Sequence, residues 1–341
     1  MKPSVAQFGG GSPTTLHASP RALAEVVLVG LRSKRLGEAR AARLGLSPEL
    51  LASLTERFVT AGALALAESS PSPCWLQLGV SFEASRGERA AFAARARFGE
   101  ALRRAVVRWR KRGVVARFFF MNKPPGMRVR FEPPPRGTLA AVQRAVSSWL
   151  LRQPAVTRLE RSVYLAEEYQ FGGAHGANVA HDYHAADSLV ALQATYREER
   201  GTISASAEIL SLLVVCDLVR RMTDDSWEAW DLWKRMEITG RRPDVPRSVA
   251  AGMVDLVRPF VLQPDAVLGQ LAPAERRLVA SAYEANERAA KAMRALAAQD
   301  LLLFHLREIV PFWIIFHWNR WGVANQKALT IGIEGALDPR R

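Results

Sequence analysis

Two kinds of apolar spacing divide this chain, and their order limits what it can fold into. Segments with the two-residue period of strands come early: "CWLQLGVSF", "VVARFFFM" and "GMRVRFEPP". Segments with the 3.6-residue period of helices dominate later, from Leu189 to about Arg221, from Trp227 to Met236 and from Ala272 to His305. Loops such as "TGRRPDVP" join them. Strands first and helices afterwards predict an α+β fold, an antiparallel sheet with packed helices, rather than a regularly alternating doubly wound one. No repeat of solenoid length is visible.

At 341 residues and 49% apolar composition, with nine tryptophans, the chain has the material for a sizeable core. Residues 1–19 are rich in Gly, Ser, Thr and Pro and read as a flexible lead-in. Residues 20–72 read as a small helical region. "SPRALAEVVLVGLRS" has the cap and spacing of one helix, and "KRLGEARAARLGLSPELLASLTERFVTAGALAL" reads as two more around "GLSPE", with Ser47 as N-cap and Pro48 as first helical residue. The pattern is winged-helix-like, a helix-turn-helix followed by a wing strand. Its second helix carries Glu49, Glu56 and a single cation, Arg57, a poor set for phosphates and base edges, so packing or peptide docking is favoured over DNA. After the linker "SSPSP", residues 73–341 form the main domain, including an arginine-dense helix from Glu88 to Arg112 with Phe92, Phe98, Leu102, Ala105 and Val106 on its apolar face.

The formal net charge is +14 and the sequence pI about 10.6, which suits an acidic partner. Arginine-rich, lysine-poor composition also follows from a high-GC coding sequence, so the charge alone does not call for nucleic acid. Cys74 and Cys216 stand far apart, without the spacing of a disulfide framework or a zinc cluster. With no signal-like N-terminus and no run of apolar residues long enough to span a bilayer, a cytoplasmic protein without membrane partners is expected.

The stretch "YQFGGAHGANVAHDYHAADS" concentrates candidate chemistry. His181 and His184 are three apart and could share a helix face, but no HExxH-like spacing accompanies them and no metal is expected. They read as lining a polar pocket, or as capping a helix introduced by Asp187 and Ser188. Gly172 and Gly173 could let backbone N–H groups approach an anion, although the GxGxxG spacing of a dinucleotide loop is missing and no nucleotide cofactor is expected. In "GMRVRFEPP" the strand period puts Arg128 and Arg130 on one face, either a carboxylate clamp or an exposed face paired with acids. In "FWIIFHWNRWG", His317, Asn319 and Arg320 sit in apolar company and need partners, either neighbouring loops or a substrate.

Taken in order, "WLQLGVSF", "FFMNKPPGMRVRFEPP", "YLAEEYQFGGAHGANVAHDYHAADS" and "FHWNRWG" resemble the lantibiotic-dehydratase C-terminal domain family, also called thiopeptide-type bacteriocin biosynthesis proteins, over about Trp75 to Ala336. The resemblance implies an enzyme acting on ribosomally made peptides without a cofactor, by one of two chemistries. One eliminates glutamate from glutamylated Ser or Thr. The other, in stand-alone relatives, joins two dehydroalanines in a formal aza-[4+2] cycloaddition that builds a pyridine with loss of water and leader peptide. Tyr164, Glu167, Gly172 and Gly173 match the family's YExExxRYGG pattern, and Arg128 and Arg130 its LRLR-like strand.

Two of the departures from it bear on the choice of reaction. Gln170 stands where elimination members carry an arginine that helps to bind the departing glutamate, and Ile315 replaces the first histidine of an HMHLNR-like motif that keeps His317, Asn319 and Arg320. A neutral amide lacks the charge-assisted bidentate bond, a loss of about 1.5 to 3 kcal/mol. The resemblance with these departures therefore implies a pyridine-forming cyclase, with elimination and noncatalytic peptide or nucleic-acid binding as alternatives. Tyr164, Glu167, Tyr169, His181, His184 and His317 are the candidate proton carriers. Arg128, Arg130, Gln170, Gly172, Gly173, Asp187, Ser188, Asn319 and Arg320 are the candidate substrate contacts. The implied partners are a leader-bearing dehydrated precursor peptide, docked in part by residues 20–72, and separate glutamylation and elimination enzymes.

Overall fold

The computed structural model describes residues 18–69, 75–82, 87–123, 126–239, 245–338 and 340. Most of the expected lead-in, most of the "SSPSP" linker, Cys74, the prolines of the "NKPPG" turn and most of the "TGRRPDVP" loop lie outside them. The chain divides into two compact units, Met1–Ser70 and Pro71–Arg341.

The first unit holds three helices, α1 (Pro20–Arg32), α2 (Lys34–Arg43) and α3 (Pro48–Ser69). Ser19 caps α1 by accepting from Ala22 N at 3.3 Å, and Ser47 caps α3 by accepting from Leu50 N at 3.2 Å. Val26, Val27, Ala41, Leu46 and Leu51 form its core. The expected wing strand is instead the end of α3, because "ALALAE" is built of strong helix formers with nothing to stop the helix.

The second unit contains β1 (Leu76–Phe82), α4 (Glu88–Lys111), β2 (Arg117–Lys123), β3 (Gly126–Glu132), α5 (Leu139–Leu150) and β4 (Val156–Ser162). Helices follow: α6 (Ala174–Glu199), α7 (Ala207–Met222), α8 (Ser226–Thr239), α9 (Arg247–Leu262), α10 (Pro264–Gln270), α11 (Pro273–Ala298), α12 (Leu306–Trp321) and α13 (Gln326–Leu337). The fold is α+β. The periodicity expected from Ala272 to His305 stops at Ala298, and His305 instead precedes α12 as its N-cap residue.

The four strands form an antiparallel sheet in the order β2-β3-β1-β4. One face is apolar. Leu76, Leu78, Phe118, Phe120, Val129 and Phe131 share a core with Phe98, Leu102 and Val106 of α4 and Val142, Val146 and Leu150 of α5. Phe98 meets Phe82, and Trp109 meets Phe131, edge to face. Burying each such side chain stabilises the fold by about 1.5–3 kcal/mol. The other face carries a register-aligned row, Phe119 opposite Arg130, Arg130 opposite Gln77, and Gln77 opposite Ser162. Polar groups thus line up across three strands, with the Phe119 ring of β2 beside them.

The β2 edge of this sheet does not face water. Phe120 N donates outward to Ser188 Oγ of α6 at 3.3 Å, and Asn122 Nδ2 donates to the Arg320 carbonyl of α12 at 2.9 Å. Two helices thereby cover an edge that would otherwise be open to pairing. Among the described residues no helix is long and apolar enough to cross a membrane.

Candidate active site

The stretch "YQFGGAHGANVAHDYHAADS" is a short 3₁₀ turn, Glu168–Phe171, running straight into α6. Gly172 adopts φ +83°, which ends the turn in the left-handed region. Gly176 is required by closeness: a Cβ there would stand 1.9 Å from the Phe171 carbonyl oxygen. The N–H groups of Gly172 and Gly173 donate to the carbonyls of Tyr169 and Glu168, so they shape the turn rather than receive an anion. Since α6 begins at Ala174, Asp187 and Ser188 lie in its middle and cap nothing, contrary to the expectation from sequence. Helical spacing instead turns His181, His184, Asp187 and Ser188 towards neighbouring elements, and all four are buried.

The first cluster forms where α6 crosses the polar face of the sheet. Tyr164, just beyond β4, places its hydroxyl 2.7 Å from His181 Nε2. Phe119 stacks against the His181 ring at 5.6 Å, and Trp75 lies 4.8 Å from it on another side. Burial, with the cations of Arg117 and Arg130 nearby, pushes His181 down to about 3. Burial likewise pushes the Tyr164 phenol up to about 12. At neutral pH the pair is therefore uncharged on both sides.

Arg130 completes this cluster. Its guanidinium lies 4.6 Å from the Tyr164 ring centroid and 4.9 Å from that of Phe119, and its Nε donates to Gln77 Oε1 at 2.7 Å. Only 8% of Arg130 is exposed, yet its Nη1 has no partner among the described residues. Burial lowers this arginine to about 10, against the attraction of Tyr164 and Glu167. Arg128 shares the face but not the environment, since it is exposed where Gly79 and Glu160 follow it across the sheet. Glu167 is exposed at the rim, Gln170 is half-buried, and Tyr169 is exposed with its ring edge-on to Phe304.

A second cluster lies behind the first and is sealed. Asp187 accepts from His317 Nδ1 at 2.9 Å, Arg320 Nε at 2.6 Å and Trp321 Nε1 at 2.8 Å. Burial would raise this carboxyl, but His317 and Arg320 outweigh it and hold the group well below the usual carboxylate range. His317 Nε2 meets Ser211 Oγ at 2.9 Å. The line Asp187–His317–Ser211 has the hydrogen bonding of a hydrolase triad, but its members are 2%, 0% and 0% exposed. It joins three helices rather than facing a substrate.

Arg320 also holds His184 within the second cluster. Its Nη2 donates to His184 Nδ1 at 3.0 Å, which places the proton of neutral His184 on Nε2, where it is buried without a partner among the described residues. Burial and the Arg320 cation push His184 well below the usual histidine range. Phe119 touches both histidine rings, at 5.5 and 5.6 Å. Asn319 stands apart, accepting from Gln326 Nε2. Of the predicted residues, the structure thus gathers Tyr164, His181 and Arg130 in front and His184, Asp187, His317 and Arg320 behind. Trp75, Gln77, Phe119, Ser211 and Trp321 are added, residues whose identity alone gave no signal. Among the described residues no group of three or more His, Cys, Asp or Glu is placed to hold a metal ion.

Residues 84–331, which contain both clusters except Trp75 and Gln77, match the sequence profile described as lantibiotic biosynthesis dehydratase C-term. The chain belongs to this family. No curated protein sequence matches it significantly. Among solved structures it is similar to the tRNA-dependent lantibiotic dehydratase MibB from Microbispora sp. 107891, with a TM-score of 0.57 and 18% identity over 79% of this chain. The likeness is one of fold, and the chain spans only 28% of that protein's length. Two weaker likenesses have TM-scores of 0.49: the pyridine synthase TbtD from thiomuracin biosynthesis, at 15% identity over 77% of this chain and 97% of that one, and TsrL, at 14% identity over 77% and 93%.

Proposed function

We propose that this family member is a peptide-modifying cyclase that joins two dehydroalanines of a leader-bearing ribosomal peptide into a pyridine, with loss of water and leader. The observation that carries this reading is the uncharged Tyr164–His181 pair beneath the stacked Arg130. Cycloaddition asks one amide to adopt its iminol form, a proton shift within a neutral group. A phenol poised as donor, with a neutral imidazole behind it, supports the amide oxygen without creating a charge in a low-dielectric site. Glutamate elimination instead needs a base to take a carbon-bound proton, and a histidine at about 3 beside a phenol at about 12 is far from the value that suits a general base at neutral pH.

Gln170 adds to this reading, being an amide where the family's elimination pattern has arginine. Most of the acceleration would come from holding two tethered alkenes together, worth about 7 to 11 kcal/mol in favourable cases. The aromatic walls of Trp75, Phe119 and Tyr164 suit neutral alkenes, and Arg130 Nη1 can donate to a peptide carbonyl. Residues 20–72 serve in this reading to dock the leader. One observation favours the second reading, elimination: the same unpartnered Nη1 is equally a donor for a departing glutamate carboxylate.

Mass spectrometry separates the two. The pure protein is incubated with a leader-bearing bis-dehydroalanine peptide and, separately, with its glutamylated precursor. Loss of water plus leader from the first supports the cyclase, and loss of glutamic acid from the second overturns it in favour of elimination.

A further inference from the structure

Gln77 sits on the polar face of the sheet and bonds to both neighbouring strands. β1 is an interior strand, with Arg130 of β3 directly opposite Gln77 on one side and Ser162 of β4 opposite it on the other. Leu76 and Leu78 are buried in the apolar core, so strand alternation holds Gln77 on the other face. Only 5% of it is exposed. Its Oε1 accepts from Arg130 Nε at 2.7 Å, while its Nε2 donates to Ser162 Oγ at 2.8 Å and to the Val163 carbonyl at 3.2 Å. The amide can sit only this way round, because a guanidinium N–H only donates and a carbonyl only accepts.

One side chain thereby fixes two groups of the candidate site. Arg130 is held through Nε, and its Nη1 is left without a partner among the described residues. Val163 immediately precedes Tyr164, so the same amide anchors the chain that carries the phenol to His181. The neutrality of Gln77 matters as much as its reach. Arg117 and Arg320 each sit on a carboxylate, Glu132 and Asp187, whereas Arg130 has no ion pair among the described residues. A carboxylate at position 77 would satisfy the same Nε–H and also offset the charge. The amide satisfies the bond and leaves the charge uncompensated.

We propose that Gln77 is a positioning residue of the candidate site: one amide fixes Arg130 and the approach to Tyr164 and, being uncharged, leaves the arginine cation for the carbonyl oxygen of a bound peptide. The inference rests on the reading of Arg130 as a donor to that peptide. Gln77 touches no reacting atom in this assignment and acts through Arg130 and Tyr164 alone. A donor held in place beforehand, with its charge uncompensated, is what stabilises negative charge developing on an oxygen.

The test compares the full chain with its Gln77→Glu and Gln77→Ala variants. Side-chain NMR follows exchange of the Arg130 Nε–H, assigned by its loss in Arg130→Lys, and mass spectrometry follows conversion of the leader-bearing bis-dehydroalanine peptide. Gln77→Glu is expected to keep the Nε–H slow to exchange, since a carboxylate also accepts it, yet to lower kcat/KM at least about tenfold. Gln77→Ala is expected to speed that exchange at least about tenfold. If the amide serves structure alone, the glutamate variant with a protected Nε–H converts peptide normally, and that result overturns the proposal. Unchanged exchange in Gln77→Ala overturns it too, and decides the matter should the glutamate variant not fold. If the unmodified protein converts no peptide while the exchange results hold, the reaction assignment fails and the positioning of Arg130 stands.

Discussion

His317 and Asp187 meet at 2.9 Å with neither side chain reaching solvent, and the same carboxylate holds Arg320 and Trp321. A single acid in the middle of α6 thereby fixes two residues near the end of α12, together with the cation that orients His184. Asp187→Asn keeps the shape and removes the charge that offsets buried Arg320. A loss of about 3–5 kcal/mol of folding stability is expected, read from denaturant unfolding of the full chain. A change below about 1 kcal/mol would mean that the pair contributes little beyond its shape.

The depressed value of His181 makes a pH prediction with a definite sign. In the unfolded chain this histidine takes up a proton near pH 6.5, but in the folded protein only near 3, so the unfolded state binds more protons in between. Stability should therefore fall as the pH drops from about 6.5 towards 3. His181→Gln should flatten that slope when unfolding free energies are compared at about pH 7.5 and 5.

Tyr164→Phe removes the hydroxyl and keeps the ring on which Arg130 lies. If this phenol moves or shares the proton of the reacting amide, turnover should fall by about 10²–10⁴-fold while the melting temperature shifts little. Turnover unchanged by mass spectrometry would leave Tyr164 as a packing residue only.

Gln170→Arg restores the guanidinium that the family's elimination pattern places before the glycine pair. Gain of glutamic acid loss from a glutamylated peptide, absent with Gln170, is the expected outcome. No gain would show that this position does not by itself select the reaction.

Gly176→Ala tests the turn. A methyl group there would overlap the Phe171 carbonyl, and either the 3₁₀ turn or the start of α6 must shift. A loss of about 1–3 kcal/mol is expected by thermal unfolding, with His181 and Tyr164 displaced relative to one another.

The alternating strand sequences made the sheet legible, because "GMRVRFE" can bury Met127, Val129 and Phe131 only by turning its arginines to the other face. β4 was harder to see, since "VTRLERS" is an exposed edge whose charges mask the period. Tyr164, His181 and Arg130 were visible as residue types. That Phe119 and Trp75 wall them in depends on strand register and on the helix laid across the sheet, which no local pattern encodes. The internal position of Asp187 was misread for a related reason: "HAADS" looks like a helix start unless the long helix before it is already recognised.

The site hangs on the phase of one helix. In α6, His181, His184, Asp187 and Ser188 reach Tyr164, Arg320, His317 and the β2 edge from successive turns. One residue inserted between Phe171 and Glu199 would swing everything beyond it by about 100° and exchange buried for exposed positions. Relatives that keep this constellation must therefore vary by substitution in this stretch and take their insertions elsewhere, so a gap here in a related chain signals a different pocket rather than a longer loop.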